Sequence, residues 1–231
     1  MNAFMKEDVS VNRSPGPLGK LLRANKWIIA AEVAVFFALC FARVFPFSVQ
    51  IFLLVFTSLS LWLRGLTWRD IGLGRFKAWW KIALWGLLAA FIISLVANLL
   101  VQPLIERLIS RPVNNSRFEN LRGHLPVLLG WLSAVWTIVA FGEEMVFRGY
   151  LMNRIADVVG RSRTGWVSAL IGSSLIFGLA HGYQGLAGII STAEVGLLLG
   201  ILYLISKRNL WINIVCHGSF DTISLIALYF S

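Results

Sequence analysis

Three observations predict an all-α fold, a polytopic transmembrane helical bundle of about seven spans. The composition is apolar, the apolar residues fall into runs of span length, and the charge lies between the runs. Of 231 residues, 58% are hydrophobic and 14% charged, where soluble domains carry about a quarter charged. Mean hydropathy is +0.75. A soluble core of this size cannot hide so much apolar surface, whereas lipid removes the need to hide it. The net charge of +10 does not imply nucleic acid as a partner, because Lys and Arg form no single patch or arm. They collect where cytoplasmic loops of membrane proteins collect them. Trp27, Trp62, Trp79, Trp80, Trp166 and Trp211 flank apolar runs, the headgroup level that suits an indole with one wet edge.

The spans follow in order. Residues 1–26 are polar and basic and read as a cytoplasmic N-terminal segment ahead of a membrane-embedded helical domain over 27–231. A span needs about 20 apolar residues. The first runs from 27 to about 44 and lacks a small-residue cleavage site, so it reads as a retained span rather than a signal peptide. Pro46 separates it from a second, ending near 63. A basic stretch, 64–77, precedes a third span over 79–101, and a polar stretch, 102–124, precedes the fourth. The fourth runs from 125 to about 147 and continues as helix toward 155. The fifth covers 166–180, the Gly-rich HGYQGLAG turns the chain into a sixth over 189–206, and Lys207-Arg208-Asn209 leads to a seventh over 210–229.

Loop charge orients these spans. With the N-terminus cytoplasmic, that side holds sixteen Lys and Arg, and the other side keeps five, Arg43, Arg107, Arg111, Arg117 and Arg122. The bias puts the N-terminus inside, in the plasma (inner) membrane. Cys40 and Cys216 both lie in apolar segments and read as small core residues, not as a disulfide or metal pair.

Ionisable groups inside a membrane are costly and usually functional. Here they are Glu32, Glu143, Glu144, Arg148, His181, Glu194, His217 and Asp221. Glu144 and Arg148 are four apart, share a helix face and can pair. Glu143 then points elsewhere, and an unpaired carboxylate in low-dielectric surroundings suits general acid or base chemistry. The Glu144–Arg148 pair reads as structural. His181 closes the fifth helix one turn after Phe177; alone, it reads as a packing or interface histidine. Asn213, His217 and Asp221 form a polar stripe at intervals of four on an apolar helix. That stripe can bond neighbouring helices, or His217 and Asp221 can ligate one metal or orient each other. Glu32 and Glu194 stand outside any motif and read as structural or unassigned. Glu194 precedes a Gly196…Gly200 spacing suited to close helix contacts. His124 lies in a polar loop and reads as solvated.

The three clusters together resemble one family, the CAAX-protease and bacteriocin-processing (CPBP) membrane proteins, which include the type II CAAX prenyl endopeptidases. The match is E-E-x-x-x-R at 143–148, F-x-x-x-H at 177–181 and H-x-x-x-D at 217–221, in order and on successive C-terminal spans. The resemblance covers roughly 131–231, with a further family-like TWRDIGLG at 67–74. It implies an intramembrane endopeptidase acting on a membrane-linked peptide or protein, with membrane lipid as surroundings. By resemblance, Glu143 and His181 activate the attacking water, His217 and the residue at 221 stabilise the oxyanion, and Glu144 and Arg148 brace the site. A metal-dependent mechanism, with zinc held among Glu143, His181, His217 and Asp221, and a metal-free glutamate mechanism both stay open. The prenyl-protein proteases carry Asn where this chain has Asp221. An ionised Asp would repel an oxyanion, so Asp221 acts protonated, orients His217 or binds a metal. The rival readings are a non-catalytic immunity or protein-sequestering membrane factor and a proton-coupled transporter. The short chain without an inverted repeat argues against the transporter.

One geometric tension accompanies these spans. His181 lies about 15 residues, or about 22 Å, from the cytoplasmic end of the fifth helix, whereas Glu143 and His217 sit nearer that side. Convergence requires helix five to tilt, to sit deeper or to begin earlier.

Overall fold

The computed structural model describes residues 15–41, 48–74, 78–109 and 112–231. Lys6, Arg13, Arg43, Pro46, Arg75, Lys77 and Arg111, which entered the reading of loops and charge, lie outside the described residues. Among the described residues the chain is all-helical and contains no strand. A short helix, α1 (Pro17–Ala24), occupies part of the N-terminal segment. Then come α2 (Lys26–Cys40), α3 (Ser48–Leu63), α4 (Trp79–Ile109), α5 (Leu125–Val159), α6 (Arg163–Ala180), α7 (Gly185–Ile205) and α8 (Leu210–Phe230).

All seven predicted spans coincide with helices over their described residues; the end of the first, 42–44, lies outside them. Four helical stretches are long and apolar enough to cross a membrane: α4, α5, α8 and the stretch Gly182–Ile205, which contains α7. At 15, 16 and 18 residues, α2, α3 and α6 fall short of the about 20 that a perpendicular span takes. The lipid-facing surface is mostly apolar; on α4 it includes Leu84, Leu87, Phe91 and Leu99, each more than half exposed.

Four boundaries differ from the sequence reading. The stretch after residue 101 remains helical to Ile109, through a wide π turn at Val96–Val101. The glycines of HGYQGLAG do not delay α7, which starts at Gly185 after a single 3-10 turn, Gly182–Gln184. The fourth helix extends to Val159, and α6 begins at Arg163.

The last two differences remove the tension over His181. Val159 lies about 16 residues, or about 24 Å, beyond Glu143. The antiparallel α6 returns over 18 residues, about 27 Å at 1.5 Å each, so His181 comes back level with Glu143. Small residues let α6 and α7 close on each other. A Cβ on Gly178 would lie 2.5 Å from the Ile189 carbonyl oxygen, and one on Gly196 would lie 3.0 Å from the Phe177 ring.

The charge count also needs correcting. Arg64, Arg148 and Arg154, read as loop charges, are buried. Arg64 pairs with Glu32 at 2.6 Å, Arg148 with Glu144 at 2.7 Å and Arg154 with Asp157 at 2.8 Å. Glu32, without a motif in the sequence, thus has a structural role. Ser60 donates to it at 2.7 Å, Arg64 holds both its oxygens, and Tyr150 donates to Ser60 at 2.8 Å.

Candidate active site

The first motif lies on a distorted stretch of α5. Two π-helical segments, Val135–Val139 and Glu144–Leu151, flank the α-helical turn Ala140–Glu143. Wide turns of this kind are frequent at functional sites. The spacing of motif residues does not reveal them. Within the second, Arg148 Nη1 donates to Glu144 Oε1 at 2.7 Å and Nη2 to the Gly196 carbonyl at 3.2 Å. The guanidinium also lies over the Phe177 ring, 4.5 Å from its centroid.

Glu144 does more than brace Arg148. His217 Nδ1–H donates to its Oε1 at 2.8 Å, and Asn213 Nδ2 donates to its Oε2 at 3.1 Å and to the Leu199 carbonyl at 2.7 Å. One fully buried carboxylate therefore fixes an arginine, an amide and an imidazole on two helices. Charge-assisted bonds such as these are the strong ones, and together they hold α8 against α5. The sequence stripe Asn213–His217–Asp221 gave no sign of which carboxylate its first two members would reach.

With Nδ1 committed to Glu144, the imidazole of His217 presents Nε2 to the site. That nitrogen stands 3.9 Å from Glu143 Oε2 and 3.5 Å from Asp221 Oδ2. Glu143 is nearly buried, and its Oε2 has no hydrogen-bond partner. A buried carboxylate oxygen left unsatisfied costs free energy and is available to a water or a substrate. Gln50 Nε2, also buried without a partner, lies against Gly142, where it would be 3.1 Å from an added Cβ. The sequence reading did not single out Gln50.

His181 caps α6. Its Nδ1–H donates to the Phe177 carbonyl at 2.9 Å, which leaves Nε2 as an acceptor. Among the described residues no ion pair within 4 Å joins it to Glu143; His217 occupies that place. Phe177 links the two histidines, with ring centroids 4.9 Å from His181 and 6.2 Å from His217. Glu194 remains apart, with Oε1 buried and unpartnered on α7.

The comparisons with known proteins bear on this arrangement. Residues 125–223 match the family model described as Rce1-like, "Type II CAAX prenyl endopeptidase Rce1-like". The resemblance to the CAAX-protease family is thereby shown. The match takes in all three motifs and lies within α5 to α8 with their connections, ahead of which stand α1 to α4. No curated protein and no solved structure matches the chain. The CAAX-protease family is a family of hydrolases, and the apolar helices make this chain an integral membrane protein.

Zinc can be weighed against the CAAX-protease residues themselves. Among the described residues no three His, Cys, Asp or Glu groups gather as a metal-holding set. Both histidines turn Nδ1 to a carbonyl or a carboxylate and leave Nε2 free, as a metal-ligating imidazole also does, so only Glu144, saturated by its donors, is withdrawn as a ligand. The two Nε2 atoms, Glu143 and Asp221 are the groups that would hold a zinc ion, and among the described residues they are not drawn together into one ligand set.

Proposed function

We propose that the protein is an intramembrane endopeptidase that hydrolyses a peptide bond in a peptide or protein held at the membrane. The observation that carries this reading is the unsatisfied Glu143 Oε2 beside His217 Nε2, on helices matched to a protease family. Glu143 accepts a proton from a water that His181 Nε2 helps to hold, and the resulting hydroxide attacks the scissile carbonyl. The oxyanion forms beside Nε2–H of His217, which acts as an imidazolium with its other N–H on Glu144, and beside the Asp221 carboxyl, which serves as a neutral donor. Glu143 then passes its proton to the leaving amine, so that one water is consumed and a carboxyl and an amine are released. Glu144 holds His217 Nδ1, so Nε2 keeps its aim, and Arg148 keeps Glu144 charged and in place. The N-terminus is cytoplasmic, in the plasma (inner) membrane, as the loop charges favour.

The deciding experiment uses purified protein in lipid nanodiscs with a membrane-anchored peptide library. Glu143→Ala, His181→Ala and His217→Ala are each expected to abolish cleavage while the protein still inserts and melts cooperatively. Full turnover by Glu143→Ala would remove the mechanism. Wild type without activity on any membrane peptide would favour an immunity or sequestering factor.

A further inference from the structure

Residues 67–74 lie outside the stretch matched to the family and include none of the proposed reacting groups. We propose that this segment is a positioning clamp for the helix that carries His217. Three of its carbonyl groups accept from two different helices. Tyr203 Oη–H on α7 donates to the Ile71 carbonyl at 2.7 Å, and Leu210 N–H, the first residue of α8, donates to the Gly72 carbonyl at 3.1 Å. Trp211 Nε1–H donates to the Gly74 carbonyl at 2.9 Å. The motif helix reaches the same junction. Asn153 Nδ2 donates to Tyr203 Oη at 3.0 Å, and a Cβ on Gly149 would press on Leu210 and Ile71.

The segment is shaped for this contact. Thr67 N–H and Oγ1–H both donate to Asp70 Oδ2, at 2.7 and 2.8 Å, closing the 3-10 turn Trp68–Ile71. Gly72 follows at φ +120°, and a Cβ there would overlap the Arg208 carbonyl oxygen; both its conformation and the close approach demand glycine. On the facing side, Lys207 and Arg208 both sit at positive φ, 56° and 63°. Two successive non-glycine residues in that region are held there by their surroundings, here by the bonds that join α7 to α8 across the clamp. The clamp thus fixes where α8 begins and how it is rotated. His217 stands seven residues further on, about two turns, so an error of rotation at Leu210 moves Nε2 away from Glu143.

This inference rests on the peptidase reading for its kinetic readout only. Trp211→Phe removes one donor and Tyr203→Phe another, both with nearly conserved shape, and Trp62→Phe, at an exposed Trp, serves as control. Side-chain 15N NMR in nanodiscs reports the His217 imidazole directly, with His124 and His181 assigned by substitution. Both clamp variants are expected to shift the His217 resonances, and the control is not. On a cleaved substrate kcat is expected to fall on the order of 10-fold, since small misplacements are costly, with KM within about twofold. Unmoved His217 resonances in both variants overturn the clamp, and so do shifted resonances with unchanged kcat. Shifted resonances in a protein whose wild type cleaves nothing support the clamp and defeat the peptidase reading instead. Gly72→Ala is expected to be the most damaging change, and if it fails to fold the two conservative variants still decide.

Discussion

At the scale of single residues, Glu143 and Glu144 are neighbours in sequence and opposites in circumstance. Glu144 accepts from three side chains, while one oxygen of Glu143 accepts from none. Glu144→Gln and Arg148→Ala are therefore expected to lower stability as well as activity, because each leaves a buried group without its partner. Breaking a buried pair costs about 3–5 kcal/mol, visible as a lower melting temperature in detergent, and unchanged melting in both variants would count against the pair. Asp221 separates two mechanisms. As a neutral donor to the oxyanion it can be replaced by an amide, so Asp221→Asn is expected to keep most activity. Asp221→Ala is expected to lose about 100- to 1000-fold in kcat, the loss from one oxyanion donor. A wild type sensitive to chelators, together with an inactive Asp221→Asn, would point to a metal. The Glu144–Arg148 pair was legible from a spacing of four. The bond from His217 to Glu144 was not, because it joins residues 73 apart in the chain.

At the scale of elements, the ion pair between Glu32 on α2 and the buried Arg64, just past α3, ties the N-terminal helices to the motif helix. Glu32, Ser60 and Arg64 end on Tyr150, two residues past Arg148, and Phe36 packs on both Phe147 and Tyr150. Arg64→Met is expected to cost about 3–5 kcal/mol by stranding Glu32. Tyr150→Phe is expected to cost about 1 kcal/mol, one hydrogen bond. Equal melting temperatures for Arg64→Met and wild type would dismiss the network as a stabiliser. Hydropathy located the seven apolar helices, since burial in lipid is written into composition, but not the short polar α1. It misplaced ends and missed the π turns, since Val159 closes a polar, amphipathic stretch and the turns leave the spacing of motif residues unchanged. Arg64 looked like a loop charge because its partner Glu32 is 32 residues away, and Arg154 because its helix runs on to Val159, although its partner Asp157 is only three residues on.

At the scale of the whole molecule, the proposed orientation yields its own prediction. In a variant whose native cysteines are replaced, Arg117→Cys should react with a membrane-impermeant thiol reagent added outside intact cells. Arg208→Cys should react only after permeabilisation, and the reverse pattern would invert the topology. The sequence by itself determined that the chain is a helical membrane protein, where its helices run and which residue types carry a CAAX-protease pattern. Composition and spacings of four are local properties, readable without knowing what packs on what. Only the tertiary structure decided that His217, and not His181, stands beside Glu143. It also decided that Glu144 governs the imidazole and that residues 67–74 hold the start of α8. Depth and rotation of a helix are set by where its neighbours begin and by the contacts that stop it turning, and these join residues distant in the chain.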